Sequence, residues 1–198
     1  MEITPEQVRT LRDKTGAGIM ECKEALNASN GSVDAAVDWL RKKGLKTAEK
    51  KAGRATANGL VGHYVHSNGR IGVIVEVNCE TDFVARNEEF IQLVKDVAMH
   101  IAATRPIAVS RSEIKPEVIE RERAIYVEQV KALGKPEAAV PKIVEGKFDK
   151  YFAENCLLEQ PFVKDETKTI EALIKSKIAK IGENIQIKRF ARFEIGSD

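Results

Sequence analysis

Residues 76–87 read Glu-Val-Asn-Cys-Glu-Thr-Asp-Phe-Val-Ala-Arg-Asn, and this stretch joins a predicted strand to a predicted helix. Apolar residues occupy alternate positions from Ile71 to Val77, as in a half-buried β-strand. A polar turn follows, carries Phe83, and leads into a helical pattern near Asn87. An aromatic side chain presented on such a turn is typical of a binding anchor. The spacing alone favours the alternative, in which Phe83 packs inside its own domain.

The strand belongs to a predicted hairpin. Two β runs, residues 59–66 and 70–78, flank Asn68-Gly69, which is the strongest short signal for a two-residue hairpin turn. A third alternating run covers residues 185–195. We expect this run to return to the hairpin and complete a small three-stranded antiparallel sheet.

Helical patterns fill most of the remaining chain. Three short helices are predicted near the N-terminus, the first starting at a Thr4–Gln7 capping box and the third ending at Gly44. Further helical periodicity covers residues 87–105, 116–133, 140–155 and 170–181. The sequence therefore predicts an α+β fold. Its expected parts are a three-helix domain over residues 1–45, a basic linker over 46–55, and an α+β core over 56–198 in which helices pack on the small sheet.

The composition is that of an ordinary globular protein. The 198 residues are 43% hydrophobic and 31% charged, with a net charge of +2. No apolar run approaches the ~18 residues that span a membrane, and the N-terminus does not resemble a secretory signal. The three cysteines, which are odd in number and far apart, favour a reducing compartment. We therefore expect a cytoplasmic protein with no membrane contact.

Residues 41–54 form a basic segment, in which seven of fourteen side chains are Lys or Arg. A run of this kind is commonly a solvated linker, although it can also contact RNA or an acidic protein surface. The chain as a whole lacks the strongly basic field of a dedicated nucleic-acid binder, so no direct nucleic-acid contact is expected. An RNA- or ribosome-associated adaptor that uses residues 41–54 remains the alternative function.

The sequence contains no pattern that indicates catalysis. The glycine-rich phosphate-binding motifs are absent. His63 and His66 lie three residues apart on a predicted strand, so they point to opposite faces and do not indicate a metal site. The carboxylates are scattered, without paired spacing for acid–base chemistry. We expect no catalytic residues, no bound metal and no cofactor, and a protein that acts by binding rather than as an enzyme.

Four segments in order resemble the bacterial and organellar translation elongation factor Ts family. They are residues 11–26, similar to the signature of that family's ubiquitin-associated-like three-helix domain, residues 76–87, similar to its Thr-Asp-Phe-Val signature, and residues 157–162 and 189–194. The resemblance implies a guanine-nucleotide exchange factor for elongation factor Tu in translation elongation. It further implies that the N-terminal domain is ubiquitin-associated-like.

The resemblance also implies site residues. In the family, the signature turn enters the partner's GTPase domain and displaces bound Mg²⁺, and the matching residues here are Thr81, Asp82, Phe83 and Val84. The N-terminal helices contact the same GTPase domain, which makes Arg12 and Met20 expected contacts. A scaffold of the ubiquitin-associated type that only recognises partner helices is a further alternative.

The chain has one set of core elements, whereas many family members have a second core subdomain and a coiled-coil insertion. Three strands leave exposed sheet edges, and a second copy of the chain would cover them. We therefore expect a homodimer whose interface uses the sheet and the last strand, including Phe190 or Phe193.

Overall fold

The computed structural model of the chain describes residues 3–196, which fold into helices and two small sheets. In chain order the elements are α1 Pro5–Thr15, α2 Ile19–Ala28, α3 Val33–Lys51, β1 Asn58–Val65, β2 Ile71–Cys79, α4 Asp82–Ala85, α5 Glu88–Thr104, α6 Pro116–Ala132, α7 Val140–Asn155, β3 Pro161–Phe162, β4 Asp165–Thr169, α8 Ile170–Ile181 and β5 Ile185–Glu194. The predicted α+β class is confirmed. None of these helices is long and apolar enough to cross a membrane.

The described residues divide into two compact units. The first contains the chain up to residue 59 together with residues 78–90 and 173–186, and the second contains residues 60–77, 91–172 and 187 onward. The domain boundaries at residues 45 and 55 stay a prediction.

The three N-terminal helices belong to the first unit, and α1 starts and ends where the sequence signals it. Thr4 and Gln7 form the predicted capping box at the start of α1, and Gly16 ends it with a left-handed φ of 67°. The helices share an apolar core formed by Val8, Leu11, Cys22, Ala25, Leu26 and Ala36.

The predicted end of the third helix at Gly44 is wrong, because α3 continues to Lys51. Gly44 serves a different purpose within the helix. A Cβ atom at this position would lie 3.1 Å from the Cβ of Ala179, so the glycine allows α8 to approach closely. Ala48, one turn further, is buried. Residues 46–51, which the sequence indicates as a linker, therefore form the last turns of α3.

The three-stranded sheet contains the three predicted strands, in the order β1-β2-β5. The hairpin loop is longer than the predicted two residues. The backbone nitrogen of His66 donates to the oxygen of Ile71 at 2.9 Å, and the nitrogen of Gly69 donates to the oxygen of His66 at 2.7 Å. Only Gly69 in the loop has a positive φ, of 68°, whereas the predicted turn type needs two such residues. Residues 67–70 therefore form the loop, with the strand pairing unchanged.

The inner face of the sheet carries the apolar alternation of β2, where Val73, Val75 and Val77 are buried. Gly62 on β1 faces the same side. A Cβ atom there would lie 2.2 Å from the Cγ1 of Val94 on α5, so this glycine lets α5 lie directly against the sheet.

Strand β5 does not keep a single alternation along its length. Ile185 and Ile187 are buried as predicted, but Lys188 and Arg189 are both exposed and the pattern then shifts by one residue. The Nε of Arg189 donates to Glu76 of β2 at 2.8 Å. Phe193 consequently faces solvent, contrary to the regular alternation that the sequence indicates.

The rest of the second unit is helical. Helices α6 and α7 pack through a cluster of Val130, Val140, Val144 and Phe148. The segment between α7 and α8, where the sequence indicates neither a helix nor a strand, contains the short antiparallel pair β3–β4. This pair was not predictable from alternation, because β3 has only two residues and begins with Pro161.

Candidate functional site

The polar turn after β2 is a single turn of helix rather than an open loop. Thr81 lies at its N-cap in an extended conformation, and its Oγ1 accepts a hydrogen bond from the backbone nitrogen of Val84 at 3.4 Å. Asn87 then caps the next helix, since its Oδ1 accepts from the nitrogen of Glu89 at 2.8 Å. The segment is therefore fixed at both ends by local hydrogen bonds.

Phe83 projects from this turn into solvent with 80% of its surface exposed. The inward position is occupied by Ala85, which is 7% exposed. Asp82 is also exposed and accepts a hydrogen bond from Arg86 at 2.9 Å. The interpretation in which Phe83 packs inside its own domain is therefore wrong.

A carboxylate from a distant part of the chain holds the base of the turn. The Oε2 of Glu183 accepts from the backbone nitrogens of Glu80 and Thr81 at 3.1 and 3.0 Å. Its Oε1 accepts from the hydroxyl of Thr81 at 2.7 Å. We call these three hydrogen bonds the carboxylate clamp.

The side chain of Glu80 in turn accepts a hydrogen bond from the segment that contains Glu183. Glu80 Oε1 accepts from the backbone nitrogen of Asn184 at 2.6 Å, and this bond is the main reason that the pKa of Glu80 is lowered. The side-chain nitrogen of Asn184 donates to the oxygens of Ala52 and Arg54 at 3.2 and 2.9 Å. Asn58 donates to the backbone oxygen of Glu80 at 2.9 Å. Three segments that are distant in sequence thus meet beneath the turn.

Cys79 is fully buried at the end of β2 and also contacts the turn. Its Sγ donates to the backbone oxygen of Thr81 at 3.1 Å. Burial raises the pKa of the Cys79 thiol, and the nearby charge of Glu183 raises it further. The thiol therefore stays protonated near neutral pH and acts as a hydrogen-bond donor rather than as a nucleophile.

The two expected contacts on the N-terminal helices are also at the surface. Arg12 is exposed near the end of α1, and Met20 is 74% exposed at the start of α2. Ile19 beside it is 51% exposed. Within residues 3–196, no hydrogen bond or ion pair joins Arg12 to residues 81–84. The structure thus presents the two groups of predicted residues as separate exposed patches of the first unit.

The described part of the chain contains no group of three or more His, Cys, Asp or Glu side chains placed to hold a metal ion. What the structure offers instead is an exposed aromatic on a rigid polar base. The sequence did not predict Glu183, Glu80, Asn184 or Asn58 as residues of this site. Glu183 and Asn184 follow the end of α8 at Gly182 and look like ordinary turn residues in the sequence.

Comparison with known proteins agrees with the signature segments. The family model described as Elongation factor TS matches residues 10–197. A protein of Oleidesulfovibrio alaskensis named Elongation factor Ts is 57% identical over 195 residues, covering 98% of each chain. A protein of Desulfotalea psychrophila with the same name is 56% identical over 197 residues, covering 100% of both chains.

A third relative, from Nitratidesulfovibrio vulgaris and also named Elongation factor Ts, is 53% identical over 198 residues and is covered over 99% of its length. These relatives have nearly the same length as this chain. The agreement extends from the N-terminal helices to the last strand. The chain therefore belongs to the elongation factor Ts family.

Proposed function

We propose that the turn formed by residues 81–84 performs the exchange reaction by inserting Phe83 into the GTPase domain of elongation factor Tu. Membership of the elongation factor Ts family makes the chain a guanine-nucleotide exchange factor for elongation factor Tu in translation elongation. The observation that carries the proposal for the turn is the 80% exposure of Phe83 on a base held by hydrogen bonds. A large exposed aromatic on a rigid support is suited to filling a partner's pocket.

The physical basis of exchange is thermodynamic linkage. A GTPase of this kind holds its nucleotide through phosphate contacts and a bridging Mg²⁺. A factor that binds the nucleotide-free form more tightly must weaken nucleotide binding by the same ratio. In our proposal the turn moves the segment that holds Mg²⁺, so the positive charge facing the phosphates is lost and GDP leaves faster. GTP then refills the site and releases the factor.

Each residue of the turn has a distinct part in this proposal. Phe83 supplies the apolar wedge, and Asp82 brings a carboxylate to the surface beside it. Thr81 caps the helical turn, and Val84 is half-buried and donates to that cap. No covalent step is required, so the chain acts by binding and not as an enzyme.

Arg12 and Met20 form the second proposed contact with the GTPase domain. Met20 offers a flexible apolar side chain that is 74% exposed, and the neighbouring Ile19 enlarges the apolar surface. Arg12 adds a positive charge at the end of α1. If the turn and the N-terminal helices bind the same partner, the second contact forms intramolecularly after the first, and the affinity is higher than for either contact alone.

We further propose that the protein is a homodimer joined through the outer face of the three-stranded sheet. That face exposes a set of large apolar side chains, namely Val61, Val65, Ile74, Phe193 and Ile195, each more than half exposed. A monomer rarely leaves a contiguous apolar surface of this kind uncovered. Phe190 is half-buried, whereas Phe193 is exposed, so Phe193 is the aromatic that would enter the interface. A second copy offers the same face and allows an isologous contact.

A cytoplasmic location is also part of the proposal. Cys22, Cys79 and Cys156 are buried and unpaired with one another, which suits a reducing compartment. The role in translation elongation requires the same location.

The proposed function is tested by stopped-flow release of fluorescently labelled GDP from elongation factor Tu. We expect the chain to accelerate release strongly at substoichiometric concentration, because it is expelled by the incoming nucleotide. Stoichiometric binding without acceleration would identify a scaffold instead. Tight, salt-dependent binding to bare RNA with no effect on GDP release would favour the adaptor that uses residues 41–54.

A further inference from the structure

Three hydrogen bonds converge on one side chain at the base of the turn, and none of them comes from a residue close in sequence. Glu183 accepts from two backbone nitrogens and from one hydroxyl, at distances of 2.7 to 3.1 Å. Among residues 3–196, no ion pair engages Glu183. The hydrogen bonds of this carboxylate within the described residues are therefore made with residues 80 and 81.

The Thr81 hydroxyl connects the clamp to a second hydrogen bond. The Thr81 hydroxyl donates its only proton to Glu183, so the lone pairs of Oγ1 are left to accept from the nitrogen of Val84. Phe83 lies within the helical turn that this second bond closes. Two linked hydrogen bonds thus connect the Glu183 carboxylate, through the Thr81 hydroxyl, to the backbone nitrogen of Val84, the residue after Phe83.

We propose that Glu183 is a positioning residue for nucleotide exchange, which acts by fixing the turn before the partner arrives. This inference rests on the proposed function of Phe83. A one-turn helix exposed to solvent is marginally stable by itself, so loss of the carboxylate clamp would leave the local caps at Thr81 and Asn87 to hold it and would increase its conformational freedom. Binding would then have to order the turn, and the cost would reduce the productive insertion of Phe83. Groups that preorganise a binding residue contribute to function without touching the partner.

The first test compares Glu183→Ala with the wild type in stopped-flow release of labelled GDP. Loss of the clamp is expected to slow stimulated release by about tenfold, because only part of the free energy of its three hydrogen bonds serves to order the turn. Glu183→Gln should fall between the two, because its amide oxygen still accepts from the backbone nitrogens. Thr81→Val removes both hydrogen bonds of the Thr81 hydroxyl and should also slow release.

A matched control variant shows whether slower release comes from loss of the clamp or from a general loosening of α8. Glu89 pairs with Lys177 and Lys180 of α8, and within residues 3–196 no hydrogen bond or ion pair joins its side chain to residues 80–84. Glu89→Ala should therefore leave GDP release unchanged. Amide hydrogen exchange gives a local readout. The amides of Thr81 and Val84 should exchange faster in Glu183→Ala than in the wild type or Glu89→Ala.

The double variant Glu183→Ala/Phe83→Ala distinguishes the possible outcomes. If Glu183 acts through Phe83, the double variant should release GDP at the same rate as Phe83→Ala alone. If the fold-reductions of the two single variants multiply in the double variant, the inference is wrong. It is also wrong if Glu183→Ala releases GDP at the wild-type rate while Phe83→Ala is slow. A wild-type rate for Phe83→Ala would instead overturn the proposed function itself. If Glu183→Ala does not fold, Thr81→Val takes its place in the same cycle.

Discussion

At the scale of single residues, polar contacts determine where the side chains of the candidate site lie. Phe83 is exposed because Ala85 takes the inward position of α4 and because Thr81 is held by Glu183. The interior of the second unit contains a comparable polar arrangement. His100 is fully buried, and its Nδ1 accepts from the backbone nitrogen of Val163 at 3.3 Å. The other ring nitrogen therefore carries the proton and donates to the Oε1 of Gln160 at 3.1 Å.

This histidine makes the stability depend on pH. Burial lowers the pKa of His100, so the unfolded chain, where the pKa is about 6.5, binds a proton more readily than the folded protein. The free energy of unfolding is therefore expected to fall as the pH drops below about 6.5, by at most ~1.4 kcal/mol per pH unit for this proton. Urea denaturation at a series of pH values measures the slope.

Two variants check the assignment of that slope to His100. His100→Gln should show a smaller loss of stability on acidification, since the amide does not titrate. His63 is exposed on β1, and His63→Gln should keep the slope of the wild type. Equal slopes for His100→Gln and the wild type would contradict this account.

The sequence predicted the residues that reach the surface of the site better than the residues that support them. Thr81, Asp82, Phe83 and Val84 were identified through a resemblance, because spacing alone favoured a buried Phe83. Glu183 lies 102 positions from Thr81, and no local periodicity connects two such residues. Hydrogen bonds between distant segments depend on the completed fold, so they cannot be read from one local pattern.

At the scale of secondary structure, glycines set how closely the elements approach. Local signals indicate the ends of α1 and α8, because caps and glycine stops are short-range features. The same rule misplaced the end of α3, since Gly44 serves the contact with Ala179 rather than a helix end. The shift in β5 was likewise missed because it accompanies the pair between Arg189 and Glu76 of another strand.

The packing of α5 on the sheet gives a prediction at this scale. Gly62→Ala would place a methyl group 2.2 Å from the Cγ1 of Val94, so the strand and helix must move apart. We expect a loss of about 1–3 kcal/mol in the free energy of unfolding, as is usual for an overpacked core. Gly72→Ala is the control, because a Cβ atom there meets nothing within 4 Å. Urea denaturation should show a clear loss for the first variant only, and equal stabilities would refute the packing argument.

At the scale of the whole molecule, the outer face of the sheet determines the expected assembly. Val61, Val65 and Phe193 are each more than 60% exposed on that face. Light scattering at micromolar concentration should give about twice the mass of one chain, since burying these side chains would drive association. Phe193→Glu should yield monomers, whereas Leu133→Glu, at an exposed site at the end of α6, should leave the dimer intact. A wild-type mass equal to one chain would refute the dimer.

The most direct test of the central claim is the rate of GDP release from elongation factor Tu with Phe83→Ala, measured by stopped flow alongside thermal melting. Phe83 is 80% exposed, so its removal should leave the melting temperature of the protein unchanged. Loss of an interface aromatic typically costs about 2 kcal/mol or more, so stimulated release should slow by ~30-fold. A normal rate of release, or a large drop in melting temperature with normal release per folded molecule, would contradict the account.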